Sequence, residues 1–361
     1  MMKKLFVIAV LFFCIEAVQA ADPSVSIKRD QKTETYTFVE AGQPVMSYHL
    51  GVVPFPADQK AKFFRKGKTN YDGSYFTDGS RYGGERSDYV QPLYGFNGEA
   101  LTDDYPSDHQ HHRGLWWSWC EVRWNDKIGD IWAVNKIRAY PVKVTKLDAD
   151  ENCATLEVEN VWRYDDDPTE VVRETTLMRV HKTTGQPGAK SRFIDFSIKL
   201  EALVDGIAIA GRQNCNYCGY GGMAVRMVPE ATDMSLLVVH PKPDQWRGAD
   251  LKMATVVSDP AKNGKSAWLS IYAKYPLPGT KEVAANADFT TVTMFESMRN
   301  ELAPSDFRYY SSRNIMIAFP GFNVLPIKKG KPCVFDCRFW VHQGKTDFAA
   351  EKKVCDQWQT K

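Results

Sequence analysis

The sequence lacks a strong net charge, a long apolar segment beyond its first twenty residues and any internal repeat. Its 361 residues carry 46 Lys and Arg against 44 Asp and Glu, a formal net charge of +2. That balance gives no electrostatic drive toward nucleic acid or an anionic membrane, so neither is expected as a partner. No apolar stretch after residue 20 approaches the ~20 residues that span a bilayer, so we expect no transmembrane anchor. Without a repeat or a low-complexity linker, residues 21–361 are predicted to form a single domain.

The first twenty residues have the pattern of a secretory signal peptide. Two lysines precede the apolar run Leu5–Ile15, and small residues occupy the cleavage positions that end at Ala20. Cys14 offers a lipoprotein alternative, but the bulky Phe13 before it disfavours that interpretation. We therefore predict that residues 1–20 are removed and that the product is soluble and either periplasmic or secreted. The oligomeric state stays open.

Cysteine is too scarce and too irregularly spaced to indicate a disulfide framework. The chain has eight cysteines, and the loss of Cys14 leaves an odd number, so at least one thiol lacks an intramolecular partner. Cys215 and Cys218 have C-x-x-C spacing without a second such pair, which favours core or locally bridged cysteines over a zinc or redox site. Cys333 and Cys337 on one extended strand would lie ~13 Å apart and could not bridge each other.

Helical patterns are also scarce, and strand patterns dominate the chain. Apolar and polar residues alternate along segments 154–159, 194–201, 267–272 and 333–342, as in half-buried antiparallel strands. The one helical pattern is Phe348–Trp358, with Thr346-Asp347 as its cap. The polar, glycine-rich stretch Pro56–Gly98 is interpreted as long loops. We predict an all-β fold, a large antiparallel β-sandwich with a short C-terminal helix.

The chemistry-bearing residues are concentrated in one short segment. Three of the seven histidines, His109, His111 and His112, lie between Asp108 and Arg113. In an extended segment His109 and His111 would face one way, and Asp108 and His112 the other. His109 and His111 could then chelate a divalent metal such as Zn or Ca with a third ligand from elsewhere. The alternatives are a histidine acid/base pair and a polar loop whose histidines hydrogen-bond carbonyl groups.

Further candidates follow the histidines and lie on the last strand. Trp117 could stack on a sugar ring or pack in the core, and Arg226 could reach an anionic or hydroxylated ligand. Alternation puts Arg338, Trp340 and His342 on one strand face, which either lines a polar cleft or is solvated. We predict that the histidines and Arg113 line one concave pocket together with His342 or Arg338.

The histidine segment carries a family resemblance. The run "YPSDHQHHRGLWWSW" resembles the signature of a family of bacterial proteins commonly labelled "methane oxygenase PmoA", whose typical form is D-H-P-H-H-R-G-L-W. The similarity continues in "PLYGFNGEALTDDYP", "RFIDFSIKLEA" and "FDCRFWVHQG", and Gln110 replaces the usual proline. The resemblance implies a galactose-mutarotase-like supersandwich, a fold used by sugar epimerases and polysaccharide lyases. It also implies a functional centre at Asp108, His109, His111, His112 and Arg113, but it implies no particular reaction.

The absence of a spanning segment excludes an integral membrane methane oxygenase. The favoured hypothesis is an exported carbohydrate-active protein that acts on a sugar or glycan by histidine-mediated proton transfer, as an epimerase, lyase or hydratase. Glycoside hydrolysis is less favoured, because it usually requires two carboxylates and Asp108 has no evident partner. The alternatives are a metal-dependent hydrolase or lyase that uses the histidines, and a non-catalytic glycan-binding protein.

Overall fold

The computed structural model describes residues 24–54, 64–65, 69–70, 84–106, 109, 111–213, 219–240, 247–248, 254–258, 267–310 and 313–360. Within these residues the chain forms strands and one helix. The strands are β1 (Val25–Asp30), β2 (Thr35–Glu40), β3 (Gln43–His49), β4 (Phe64–Arg65), β5 (Thr69–Asn70), β6 (Tyr89–Leu93), β7 (Leu115–Ser118), β8 (Glu121–Trp124), β9 (Lys127–Gly129), β10 (Ile137–Ala149), β11 (Cys153–Tyr164), β12 (Asp167–His181), β13 (Ser191–Ala202), β14 (Ala208–Ala210), β15 (Gly222–Arg226), β16 (Thr232–His240), β17 (Arg247–Gly248), β18 (Ala254–Ser258), β19 (Trp268–Lys274), β20 (Phe289–Glu296), β21 (Asp306–Tyr310), β22 (Asn314–Ala318), β23 (Val324–Pro326) and β24 (Cys333–Gln343). The helix is α1 (Phe348–Gln359), and it is neither long nor apolar enough to cross a membrane. The all-β prediction is confirmed.

Two nine-stranded sheets make up most of the fold. The first sheet has the order β1-β2-β3-β6-β7-β15-β22-β21-β17, and the second has the order β10-β11-β12-β13-β24-β20-β19-β16-β18. A four-stranded sheet, β23-β14-β8-β9, and the β4-β5 pair complete the set. Pairing is antiparallel except where β17 and β18 join their sheets. The two large sheets share one apolar core, which is the sandwich arrangement that the alternating pattern predicts.

Strand alternation decides which side chains enter that core. On β13, Ile194, Phe196 and Ile198 are buried in the core, while Asp195 and Ser197 between them are only half-buried. On β7 of the first sheet, Leu115 and Trp117 enter the core. Trp116 between them points to the outer face, where it belongs to a second apolar cluster.

The outer face of the second sheet is covered by α1. The helix begins after Asp347, whose carboxylate accepts hydrogen bonds from the backbone N–H groups of Ala349 and Ala350, as the predicted cap requires. It covers β19, so Trp268 and Ser270 are as buried as their apolar neighbours. The expectation that segment 267–272 is buried on one face only is therefore wrong, because alternation gives no sign of a helix packed on the second face.

Three local predictions have mixed outcomes. The stretch Pro56–Gly98 is not all loop, since β6 lies within it and pairs with both β3 and β7. Cys333 and Cys337 do not bridge each other, as their spacing predicts, and both are free thiols. The C-x-x-C pair Cys215 and Cys218 lies outside the described residues.

Candidate functional site

The histidine segment forms a turn immediately before β7. The backbone N–H of His109 donates to Pro106 O at 3.1 Å, and that of His112 donates to His109 O at 2.9 Å. The turn brings the three imidazole rings into mutual contact, with centroid separations of 4.6 to 5.8 Å. The extended geometry, in which His112 would face away from the other two, is therefore wrong. We call His109, His111 and His112 the histidine cluster; Asp108 lies outside the described residues.

A glycine fixes the exit from this turn. Gly114 has a φ of +45°, which favours glycine, and a Cβ there would lie 2.2 Å from Val90 O. Its N–H donates to Asp103 O, and its carbonyl accepts the N–H of Arg226 at 2.7 Å. The close approach therefore ties the histidine turn to both neighbouring strands, β6 and β15.

Arg113 is held as a structural clamp. Its Nε donates to Asp104 Oδ1 at 2.5 Å, and its Nη2 donates to the hydroxyl of Tyr89. The guanidinium carbon lies 3.5 Å from the centre of the Tyr105 ring and 4.3 Å from that of Tyr89. These contacts fix a buried cation within the protein. Arg113 therefore positions the turn that carries the histidines.

The histidine cluster rests on tryptophans of the outer face. The His112 ring lies 5.1 Å from Trp116 and 5.8 Å from Trp132, measured between centroids. The two tryptophans are 4.9 Å apart, and Tyr220 continues the aromatic group at 5.8 Å from Trp132. Trp116 belongs to β7, which is why it faces away from the core that holds Trp117. The outer face of the first sheet around this group is called the histidine face below.

Two of the three imidazoles are held neutral. Burial lowers the pKa of His111 well below its ordinary value, and the charges of His109 and Arg86 lower it further. Burial also lowers the pKa of His112 well below its ordinary value, assisted by its two neighbouring histidines. Both rings are therefore uncharged at neutral pH and can accept a proton.

Arginines surround the cluster at several points. Arg86 Nη1 donates to Trp132 O at 3.0 Å, and Arg226 points from β15 onto the histidine face. Arg212 donates to Asp130 through Nη2 and to the Tyr220 hydroxyl through Nε. Burial raises the pKa of Asp130 to about 6, although Arg212 opposes that shift. The arrangement combines neutral imidazoles with several cations.

Several buried polar atoms on the histidine face have no hydrogen-bond partner in the described part of the chain. All of these atoms are excluded from solvent, and all belong to residues on the face that carries Trp116 and Trp132. They are His112 Nδ1, Trp116 Nε1, Ser118 Oγ, Trp132 Nε1, Arg308 Nε and Asn314 Oδ1. Buried polar groups are normally paired with protein or with ordered water, so these atoms are positions where water or a ligand would be bound.

Trp117 is placed in the core rather than on the histidine face. Its indole N–H donates to the buried Glu174 at 2.5 Å, and its ring stacks on Tyr48. One edge lines a cavity of about 120 Å³ whose walls also include Arg86 and Asp88. Burial raises the pKa of Asp88 well above its ordinary value, with the nearby Glu174 adding to the shift. Nothing in this arrangement leaves Trp117 free to stack on a sugar.

The last-strand candidates lie on the other side of the molecule. Arg338 makes a bidentate pair with Asp195 at 2.5 and 2.7 Å. Trp340 lies 4.2 Å from His342 and 6.0 Å from Phe193, between centroids. All belong to the outer face of the second sheet, because the residues between them on β24 enter the shared core. The expected joint pocket with the histidines is therefore wrong: the two groups lie on opposite outer faces.

The described residues of the histidine turn, which leave out 107, 108 and 110, do not form a preformed metal site. Among the described residues, no group of three or more His, Cys, Asp or Glu side chains is arranged to hold a metal ion. Two imidazoles alone provide too few ligands for a structural zinc site. Metal ligation by His109 and His111 therefore stays an alternative to proton transfer.

The sequence reasoning missed Arg86, Trp132 and Arg308. The first two reach the site through loops without a recognisable motif, so no local signal identified them. Arg308 had one, because Phe307 and Tyr309 on either side are apolar and alternation sends the arginine to the opposite face of β21.

The chain belongs to a family of unknown function, DUF6807, whose model matches residues 39–355. No curated protein and no solved structure matches the sequence.

Proposed function

We propose that this member of the DUF6807 family is an exported carbohydrate-active enzyme that moves a proton on a sugar or glycan through its histidine cluster. The observation that carries the proposal is the mutual contact of three imidazoles, one of which packs on Trp116 and Trp132. Two of those imidazoles are neutral at neutral pH. A neutral imidazole beside aromatic rings is suited to accept a proton from a ligand that stacks on those rings.

The surrounding groups support an acidic carbon as the site of proton removal. Removal of such a proton places negative charge on a neighbouring oxygen, and guanidinium groups stabilise that charge. Arg86 and Arg226 are close enough to act on the charge of the histidines. Epimerisation and β-elimination begin with this proton removal, and hydration of a conjugated double bond passes through the same anion before a proton is added to the carbon.

The proposal includes export of the protein, and it draws on the resemblance to the PmoA-labelled family. The resemblance to the PmoA-labelled family, and through it to galactose-mutarotase-like sandwiches, supports a sugar ligand. The signal pattern of residues 1–20 lies outside the described residues and supports a periplasmic or secreted location. Mass spectrometry of the exported protein should show Ala21 as the first residue; a cytosolic product that retains Met1 would contradict export.

The catalytic proposal is tested by replacing single histidines. His111→Ala and His112→Ala should each lower turnover on a responsive sugar by ~10²–10⁴-fold, because an acid/base group is lost. His181→Ala is the matched control, since His181 binds Asp195 on the second sheet, and its turnover should stay within about twofold of wild type. Turnover is measured on a panel of oligosaccharides, and melting temperatures confirm that each variant is folded.

Three outcomes would contradict the proposal in different ways. Variants that melt early but keep their specific activity would make the cluster architectural. Loss of a bound metal together with activity would replace the proposal with the metal-dependent hydrolase or lyase. Saturable binding across the panel without any turnover would leave a glycan-binding protein.

A further inference from the structure

Two acidic side chains lie buried between the sheets, behind the histidine face. The first is Glu174 on β12, which is 1% exposed. It accepts hydrogen bonds from two indole N–H groups and one hydroxyl, those of Trp117 at 2.5 Å, Trp162 at 2.8 Å and Thr176 at 3.0 Å. A carboxylate has only acceptor sites, and three donors suit its ionised form. Glu174 therefore holds a negative charge in the core.

The second acidic side chain is Asp88, on the segment before β6. The Tyr48 hydroxyl on β3 donates to Asp88 Oδ1 at 2.7 Å, and the Asp88 carboxyl lies within hydrogen-bonding reach of Glu174. Two ionised carboxylates in contact offer each other only lone pairs, so the pair retains one proton. Because Glu174 already has three donors, the proton belongs to Asp88, which donates it to Glu174. We call Asp88 and Glu174 the acid pair.

The backbone of Asp88 is strained. Its φ is +64°, in the left-handed region that few residues other than glycine adopt, and its N–H donates to His49 O at 2.7 Å. Such a conformation persists only where the surrounding contacts enforce it. The shared proton is one of those contacts, because it holds the carboxyl of Asp88 against Glu174.

A cavity of about 120 Å³ gives the Asp88 side chain a second direction in which to point. At about 30 Å³ per water, the cavity has room for about four water molecules. Asp88 and Arg86 both line it, and the positive charge of Arg86 already acts on Asp88. The other charged or titratable side chains of the lining are Glu85, which is 44% exposed, and Arg138 and Tyr140 on β10.

Arg86 connects this cavity with the histidine face. Its Nη1 donates to Trp132 O at 3.0 Å, and the Trp132 ring packs against His112. Ile131 and Val134 of the same loop line the cavity. The cavity wall is therefore the back of the loop 130–136 that presents Trp132 to the histidines.

We infer that the acid pair is a pH-sensitive switch that acts on the histidine face through Arg86. With the shared proton in place, Asp88 faces Glu174 and Arg86 donates to Trp132 O. When solvent in the cavity removes the proton, two negative charges face each other, and Asp88 turns into the cavity to pair with Arg86. Arg86 then leaves Trp132 O, and the loop 130–136 becomes less well held. This regulation goes beyond the proposed function, because it does not depend on which reaction the histidines catalyse.

The direction of the pH response follows from the environment of Asp88. Burial raises the pKa of Asp88 well above its ordinary value, and Glu174 raises it further. The folded protein therefore binds this proton more tightly than the unfolded chain does. The stability that comes from the shared proton is full in acid and is lost as the pH rises through the raised pKa. The form with Arg86 bonded to Trp132 is the low-pH form.

The switch is tested by tryptophan fluorescence and amide hydrogen exchange of the full chain between about pH 5 and about pH 9. Trp117 and Trp162 report on the acid pair because both indoles donate to Glu174. Wild type should show a one-proton fluorescence transition that Asp88→Asn lacks, since the amide still donates to Glu174 but does not titrate. Above the transition, residues 130–136 should exchange at least about tenfold faster in wild type than in Asp88→Asn at the same pH.

Two further variants assign these responses. Arg86→Met should move the fluorescence transition to higher pH, because the cation that favours the Asp88 carboxylate is lost. Exchange of residues 130–136 should then differ by less than about twofold between Arg86→Met and the double variant Arg86→Met/Asp88→Asn. Glu351→Gln is the matched control, since Glu351 is a buried acid that accepts from the Trp268 indole on the other side of the second sheet. It should retain both responses that depend on Asp88.

Each failure overturns a stated part of the inference. A fluorescence profile that is the same in wild type and Asp88→Asn would overturn the shared proton. A fluorescence transition without any change of exchange at 130–136 would overturn the link to the histidine face, and a change that survives in Arg86→Met would overturn the role of Arg86. These measurements need no substrate, so their failure leaves the proposed function standing, and a failure of histidine-dependent turnover leaves the switch standing.

Discussion

The two large sheets bury polar side chains on their outer faces, but the partners of those side chains differ. Under α1, Glu351 accepts hydrogen bonds from Trp268, Ser270 and Thr293 at 2.7 to 3.3 Å. On the histidine face, Trp116 Nε1, Ser118 Oγ and other buried atoms have no partner among the described residues. The Glu351 patch therefore contributes to stability, whereas the histidine face carries unmet hydrogen-bonding capacity.

Satisfied buried polar groups contribute to stability, whereas unsatisfied ones indicate a place where something else binds. An unmet buried polar group costs about 1–3 kcal/mol, so a fold tolerates a group of them where a ligand satisfies them. The second sheet is not uniform, since Trp340 Nε1 and His342 Nε2 also have no partner in the described chain. The contrast is strongest between the Glu351 patch and the histidine face.

The largest effect is expected from the removal of Glu351. Glu351→Ala leaves three buried donors without their acceptor and should lower the free energy of unfolding by about 3–5 kcal/mol. At pH 4.5, where Glu351 is protonated in the folded protein, Glu351→Gln keeps a carbonyl acceptor and should cost less than about 1 kcal/mol. Urea unfolding measures both variants, and equal stability of the two would contradict the role given to the carboxylate.

A pH series tests the same patch. Burial raises the pKa of Glu351 from an ordinary value of 4.5 to about 7. Because the folded state holds the proton more tightly, this contribution to stability is full below pH 4.5 and is lost as pH rises through 7. Over that interval wild type should lose ~3 kcal/mol relative to Glu351→Gln. Parallel pH profiles for the two proteins would refute the linkage.

A smaller effect is expected at the clamp beneath the histidines. Arg113→Met breaks the bond to Asp104, whose side chain is 23% exposed, so the loss should be about 2–3 kcal/mol rather than the full cost of a buried pair. Arg123→Met, which removes a more exposed pair with Glu121, should cost less than about 1 kcal/mol. Urea unfolding compares them. A loss at Arg113 no larger than that at Arg123 would contradict the clamp.

Local pattern was sufficient for the strands and the helix but not for the site. Alternation predicted the buried residues of β13, and Asp347 marked the start of α1, because both signals act within one element. The same pattern misassigned Ser270, whose burial depends on a helix about eighty residues later in the chain. It also misplaced His112, because hydrogen bonds to Pro106 and His109 turn a segment that composition alone would leave extended.

The site also depends on contacts between distant segments. Trp132 meets His112 only after β7, β8 and β9 fold back on each other, and no spacing rule encodes that contact. The last-strand residues looked equivalent to site residues because alternation identifies a face of a strand, whereas tertiary structure decides which sheet the strand joins. Arg338 therefore has a side chain suited to such a site, but its strand belongs to the second sheet and not to the sheet that carries the histidines.

The contrast between the two faces is tested most directly by one buried hydroxyl on each outer face. Ser270 donates to Glu351 at 2.8 Å on a strand under α1, and Ser118 Oγ has no partner among the described residues on β7. The measurement is the free energy of unfolding of Ser270→Ala and Ser118→Ala without ligand. Ser270→Ala should lose about 1–2 kcal/mol, and Ser118→Ala should lose nothing or gain up to about 1 kcal/mol. A loss at Ser118 equal to that at Ser270 would show that the histidine face is satisfied without a ligand and would contradict the account.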